Sequence, residues 1–465
     1  MGSREQAARK VGPKGKQLPP ALVEARRRRE ATRKVATTEL PSVAAPRLKT
    51  ISASTAKGRV ATRAKAHRIA GTGYAILGVT MIMFLYGMIM IFSASSGLAF
   101  QVHGSSYYYL VRQAIWFAVG IVAMIALAFT DYHSVAEASW LLVLLSLAAL
   151  AAVPFIAAEV YGSKRSISYG PFVFQPSEMA KMSLLIFAAY IYNKRRGKLD
   201  DWRQIAMPVL AATSLACLLI IIEPDLGSML IVALAVFAVL FLAGAPLRRL
   251  AVLAGSGAVM TAIFIFSSHY RKARFLAFLD PWSAPREGGF HIIQSMVALG
   301  SGSLKGLGLG MSRQKFFYLP NAHTDFIFSI IGEELGIIGT LAVLGLFAAF
   351  ICLGFRIARG APDGLGQLLA MGITVLIGMQ AFVNMGAATG GLPITGVTLP
   401  FFSYGGSSLV ICMCLVGILI NVSRQEVGRP MPKDGRRKRE SGDMRRRNRR
   451  PSPPPARAGR GARGA

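Results

Sequence analysis

The chain has 465 residues, 53% of them hydrophobic and only 16% charged, with a mean hydropathy of +0.46. That balance excludes a soluble multidomain enzyme and specifies an integral membrane protein. Of the net charge of +31, +25 sits at the ends: residues 1–68 hold 18 basic and 4 acidic side chains, and residues 424–465 hold 15 and 4.

In chain order, the first element is the basic tail 1–68, with an arginine run at 26–29. Like its counterpart 424–465, which is rich in Arg and Pro, it has too little apolar content to fold alone, and both tails are expected to be disordered and cytoplasmic. Their expected partner is anionic lipid, at ~1 kcal/mol per basic residue near the surface. Docking of a cytoplasmic protein is the second option; nucleic acid is not expected, because the tails lack aromatic and motif content. The first long apolar run begins near Gly71, too late for a cleavable signal peptide. Cys217, Cys352, Cys412 and Cys414 all fall in apolar segments without metal or disulfide spacing, and read as core residues.

At roughly 20 apolar residues per crossing, ten spans follow. They lie near 72–93, 110–130, 138–157, 176–192, 204–222, 227–244, 250–267, 327–355, 368–388 and 405–421. With the N-terminal tail inside, Lys194, Arg195, Arg196, Lys198, Arg248, Arg249, Arg356 and Arg359 all fall on the cytoplasmic side with both tails. The expected fold is an all-α polytopic membrane domain over 69–423, with ten transmembrane helices and a large extracytoplasmic loop, 268–326, between helices seven and eight. That loop shows no obvious structure, is rich in glycine and aromatics, and carries basic residues that suit an anionic ligand.

Ionisable residues inside the spans mark functional positions by default. Glu178 and Lys181 share one helix face, either as an ion pair that lets a polar helix insert or as a wall of a polar cavity. Arg112 is an interfacial snorkeller or a ligand group. Asp225 and Asp325 stand where a helix N-cap or a functional carboxylate would stand. Three short motifs are set aside for lack of context: Ser54-Thr-Ala-Lys57, the glycine-rich stretch 302–310 read as a dinucleotide loop, and the sequon Asn421-Val-Ser423.

Four longer stretches, in order, are similar to signatures of the SEDS family (shape, elongation, division and sporulation). They are Gln175-Pro-Ser-Glu-Met-Ala-Lys181; Glu223-Pro-Asp-Leu-Gly227; Tyr318-Leu-Pro-Asn-Ala-His-Thr-Asp-Phe-Ile-Phe328 with Gly332-Glu-Glu-Leu-Gly336; and Leu399-Pro-Phe-Phe-Ser-Tyr-Gly-Gly-Ser-Ser408. Gly308-Leu-Gly310, Gln314-Lys-Phe-Phe-Tyr-Leu-Pro320 and Thr398 resemble the FtsW-type branch.

The resemblance implies a peptidoglycan glycosyltransferase that polymerises lipid II at the outer face of the bacterial plasma membrane, in septal wall synthesis. It implies Asp325 as catalytic base, and Arg112, Arg165, Glu178, Lys181, Asp225 and His323 as substrate-binding positions. It also implies a class B penicillin-binding transpeptidase partner and other divisome proteins. No cofactor is implied by the motifs; a divalent cation (Mg or Mn) at the pyrophosphate is chemically reasonable, with no ligand cluster to mark it. Two positions depart from the family pattern: Ser166 replaces the usual Trp, and Ala284 replaces a frequent second acid. The alternatives on the same fold are a lipid II flippase, a RodA-like elongation polymerase, and a scaffold that only recruits division proteins.

Overall fold

A computed structural model describes residues 47–157, 165–169, 172–195, 202–286, 288–316 and 318–425, with side chains from Gly71 onward apart from a few isolated positions. Most of the two basic tails lies outside these residues, as do Arg196 and Lys198. The chain divides into units Met1–Val60 and Ala61–Ala465.

Thirteen helices and one hairpin follow among the described residues: α1 Arg47–His103, α2 Tyr108–Phe129, α3 Tyr132–Glu137, α4 Ser139–Ile156, β1 Ile167–Tyr169, β2 Phe172–Phe174, α5 Pro176–Lys194, α6 Trp202–Ile222, α7 Leu226–Leu242, α8 Leu247–Phe266, α9 His269–Leu279, α10 Phe290–Gly302, α11 Ile327–Gly360, α12 Gly364–Ala388 and α13 Gly406–Arg424. The two strands pair antiparallel, Ile167 opposite Phe174. Seven helices are long and apolar enough to cross a membrane: α1 from Gly71, α2, α4, α8, α11, α12 and α13. The apolar parts of α6 and α7 are shorter.

Every expected span coincides with a helix, within a few residues for most. The largest differences are at α1, which runs on to His103 and begins at Arg47, so that the end of the N-terminal tail is helical along its backbone. Its Ala, Lys and Arg content favours helix even without an apolar face. The expectation of an unstructured 268–326 is corrected: the segment contains α9, a 3-10 turn at Pro281–Ser283, and α10. These pieces are too short to stand out by length, and α10 gains its order by packing on α11.

Helix α5 is central. It is buried along nearly its whole length and packs against α4, α6, α7, α12 and α13. Helices α2, α4 and α8 instead turn Val122, Leu144, Phe155, Val252 and Ile263 outward, as a lipid-facing surface requires.

The glycine-rich stretch 302–310 has a packing role. Leu307 N and Gly308 N donate to the Glu333 and Glu334 carbonyls, and Ile337 N donates to Ser303 O. A Cβ on Gly302 or Gly306 would collide with the backbone of α11 at Gly332 or Glu334. Helix α11 breaks there at Gly336, whose φ of +67° lies in the left-handed region.

The carboxylates of the same turn hold the segment that follows. Glu333 accepts from Ser312 Oγ and from Arg313 N at 2.9 Å. Glu334 accepts from Ser93 Oγ at 2.6 and 2.7 Å and pairs with Lys315 Nζ at 2.9 Å, with both charged side chains buried. Lys315 Nζ also donates to Gly310 O at 2.7 Å.

At the opposite end of the helices, His133 joins two carboxylates. Its Nδ1 lies 2.8 Å from Asp131 Oδ1 and its Nε2 lies 2.9 Å from Asp363 Oδ2. Asp363 accepts from Gly366 N as cap of α12, and Gln425 Nε2 donates to Asp131. Burial opposes the imidazolium, but hydrogen bonds and charge from Asp131 and Asp363 outweigh it and hold the pKa above the usual 6.5.

Two outcomes follow. Replacing Lys315→Met strands a buried Glu334 carboxylate and is expected to cost about 3–5 kcal/mol, read as a lowered thermal midpoint in detergent; adding Glu334→Met should recover most of it. Because the His133 pKa is raised on folding, its contribution is full below pH 6.5 and fades as pH climbs through the raised value. The difference in thermal midpoint between wild type and His133→Gln should therefore shrink with rising pH; a difference independent of pH contradicts the clamp.

Candidate functional site

Three segments converge just before α11. Thr324 N and Phe326 N both donate to Asn321 O, closing a compact turn that carries His323 and Asp325. From α12, Asn384 Nδ2 donates to Asp325 O at 2.8 Å and to Val397 O at 2.7 Å. From the loop after α12, Ser403 Oγ donates to Thr324 O at 2.6 Å and accepts from Leu399 N at 2.8 Å, while Tyr404 N donates to His323 O at 2.9 Å. The backbone at Asp325 is thus fixed from two directions before its carboxylate does anything.

That half-buried carboxylate and Arg165 both approach Gly396. A Cβ placed on Gly396, whose φ is +71°, would lie 3.7 Å from Asp325 Oδ2 and 3.8 Å from Arg165 Nη1. The two charged groups therefore flank one point, and the missing side chain keeps it open. Arg165 stands two residues before the hairpin and donates Nη2 to Pro224 O at 2.7 Å, while its Nε is buried without a hydrogen-bond partner among the described residues.

The turn between α6 and α7 supplies two more carboxylates. Asp225 caps α7 by accepting from Ser228 N at 3.1 Å, and accepts from Gln175 Nε2 at 3.3 Å. Glu223 is 2% exposed, and neither of its oxygens has a hydrogen-bond partner among the described residues. Burial, then the charge of Asp225, pushes its carboxyl up to about 8 against the pull of Arg165. At neutral pH Glu223 mainly holds its proton, which leaves the Arg165 charge unneutralised on that side.

Glu178 and Lys181 face each other, 2.7 Å apart and almost fully buried. Lys181 Nζ donates to Gln380 Oε1 at 3.3 Å, and Gln380 Nε2 donates to Thr398 O at 3.1 Å. The pair is thereby a strut from α5 through α12 to the 397–404 loop that holds the Asp325 turn.

Arg112 and His323 lie together beyond that loop. The Arg112 guanidinium sits 4.7 Å from the Tyr108 ring centroid, and its charge acts on the Tyr404 hydroxyl. His323 packs against Tyr109 at 4.7 Å and Tyr404 at 5.8 Å, and burial pushes its imidazole down to about 4. It is neutral at pH 7, so its contacts are packing and hydrogen bonding rather than charge.

The arrangement brings together Asp325, Arg165 and the 223–225 turn on one side and Arg112 with His323 on the other; Glu178 and Lys181 reach the site through Gln380. Residues without an assigned role in the sequence reading are Asn384, Gln380, Ser403, Glu223, Glu333 and Glu334. Their signal was available: each is a polar group in or beside an apolar segment, where an idle one is costly. Chemically, a positioned carboxylate beside a guanidinium can take a proton from a hydroxyl while the cation holds a phosphate.

The sequence profile of the cell cycle protein family FtsW/RodA/SpoVE matches residues 74–428. A probable peptidoglycan glycosyltransferase FtsW of Geobacter sp. (strain M18) is 38% identical over 368 residues, covering 78% of this chain and 99% of that protein. Stage V sporulation protein E of Bacillus subtilis (strain 168) is 39% identical, covering 74% and 95%. Among solved structures, a chain of a peptidoglycan synthase complex superposes with a TM-score of 0.63 at 29% identity, covering 76% of this chain and 97% of that one. Rod shape determining protein RodA of Thermus thermophilus gives 0.57 at 28%, covering 76% and 97%. With the motifs in order along the whole apolar region, the chain belongs to the FtsW/RodA/SpoVE family of cell cycle proteins.

Proposed function

We propose that this chain is a peptidoglycan glycosyltransferase that polymerises lipid II at the outer face of the bacterial plasma membrane, with Asp325 as the general base. The observation that carries the reading is the convergence of Asp325 Oδ2 and Arg165 Nη1 over Gly396. The relatives named glycosyltransferases and the synthase complex among the structural neighbours support it.

In the reaction, the 4-hydroxyl of one N-acetylglucosamine attacks C1 of the N-acetylmuramic acid of the other substrate. The C1–O bond to undecaprenyl pyrophosphate breaks, and the configuration inverts. Asp325 accepts the hydroxyl proton as the new bond forms. Arg165 and Arg112 hold pyrophosphate oxygens, for which a planar guanidinium suits a bidentate grip. Glu178 and Lys181 act from behind, by fixing the 397–404 loop through Gln380.

Among the described residues, no three or more of His, Cys, Asp and Glu converge as a metal cluster. Asp225, joined by Glu223 when it gives up its proton, would hold a divalent cation, with substrate phosphate completing its shell. Ten crossings arise if α5, α6 and α7 span with the seven longer helices. Both termini and the basic pairs Arg248–Arg249 and Arg356/Arg359 then face the cytoplasm, and α9 and α10 lie outside. The FtsW names among the relatives favour septal work, and the synthase complex favours a penicillin-binding transpeptidase as partner.

Asp325→Asn keeps the size and hydrogen-bonding backbone of the turn but removes the base. Polymerisation of purified lipid II by the complex is expected to fall by about 10²- to 10⁴-fold while the variant remains folded and partner-bound. Equal polymer from both proteins would remove Asp325 from this role.

A further inference from the structure

The Asp325 turn is continuous with a set of aromatic rings that the reaction above does not use. His323, two residues before Asp325, packs on Tyr109 at 4.7 Å; Tyr109 meets Tyr108 edge to face at 5.3 Å; and Tyr108 stacks on His103 at 3.6 Å. Tyr404 closes on Tyr109 at 5.0 Å, and the Arg112 guanidinium lies over Tyr108. The rings come from three separate segments, the α1–α2 turn, the Asp325 turn and the loop before α13. Burial falls along the row: His323 is buried, Tyr109 and Tyr108 are half-buried, and His103 is exposed beside exposed Gln101 and Ser105.

An interfacial aromatic belt is the ordinary reason for tyrosines at helix ends. Belt residues anchor a helix individually in the headgroup layer. Here the rings touch one another, flank the Arg112 guanidinium, and run from solvent to the turn that carries Asp325. Such a surface suits a pyranose: its C–H face is apolar and slightly positive, complementary to the negative face of an aromatic ring, and its equatorial hydroxyls reach polar groups at the edge.

We propose that His103, Tyr108, Tyr109 and Tyr404 form a saccharide-binding track for β-linked N-acetylhexosamine units beside the turn that carries Asp325. The inference rests on the polymerase reading for its ligand, since a chain being extended must be held while the next unit enters. Retention on the track sets how many additions occur per encounter; the bond-forming step does not pass through it.

The test uses the full chain purified with its transpeptidase partner, and as probe a lipid-free tetrasaccharide of alternating N-acetylglucosamine and N-acetylmuramic acid. Saturation-transfer NMR should detect the probe on wild type. His103→Ala, at an exposed position, and Tyr108→Ala should each weaken it about three- to tenfold and shorten the strands made from lipid II, and His103→Ala should do so with the initial rate nearly unchanged. Tyr108→Phe, which keeps the ring, should behave as wild type. Absence of saturable probe binding to wild type, or unaltered binding and strand length in folded His103→Ala and Tyr108→Ala, overturns the track. A wild type that binds the probe but makes no strands overturns the polymerase reading instead and leaves the saccharide site standing.

Discussion

A hydrocarbon interior offers no water to a charge, so every ionic group that enters it must be met by protein. That constraint organises this molecule. Apolar faces alone cannot order helices in a bilayer, because lipid tails are as apolar as leucine. What ranks the helices here is where the polar groups close. Helix α5 is central because Lys181 and Glu178 need each other and Gln380 of α12. The start of α11 is held inward because Glu334 needs Lys315 and Ser93. Helices such as α8, with Leu250 its one buried residue, have no such requirement and stay at the periphery.

Against that pattern, closure is incomplete in the Asp325 region. Among the described residues, neither Glu223 oxygen nor the Nε of Arg165 has a hydrogen-bond partner, although each lies in a segment that hydrogen bonds fix elsewhere. A protonated Glu223 lets the Arg165 charge act toward Gly396 and Asp325 rather than being cancelled from behind. The same neighbourhood is rigid: Asn384, Ser403 and the Tyr404 amide hold the 323–325 backbone, which suits a site that must place a carboxylate without reorganising. Rigid support with unmet polar atoms at its rim is what a site awaiting phosphate and hydroxyl groups requires.

Much of this was legible in the sequence. Hydropathy located the helices because a span is long and uniform, and four motifs named most residues that meet around Asp325. The features it hid are those that depend on close approach. Gly302 and Gly306 looked like a loop signature without a home; their role exists only because α11 breaks at Gly336 beneath them. Short α9 and α10 had neither the length nor the strict periodicity to stand out from a glycine-rich loop. Asn384 was one amide inside an apolar helix, and nothing local to it could say that it would reach both Asp325 O and Val397 O. The approach of Arg165 and Asp325 to the same glycine, Gly396, brings together positions 160 residues apart in the chain and follows only from the fold.

The most direct measurement is the product formed from purified lipid II by the wild-type complex while a β-lactam blocks the transpeptidase, so that glycosyl transfer alone can lengthen strands. Accumulation of uncrosslinked glycan strands with release of undecaprenyl pyrophosphate is the result this account predicts. A folded, partner-bound complex that makes no strands yet exchanges labelled lipid II between the leaflets of a vesicle would contradict it, and would make the polar interior a transport path.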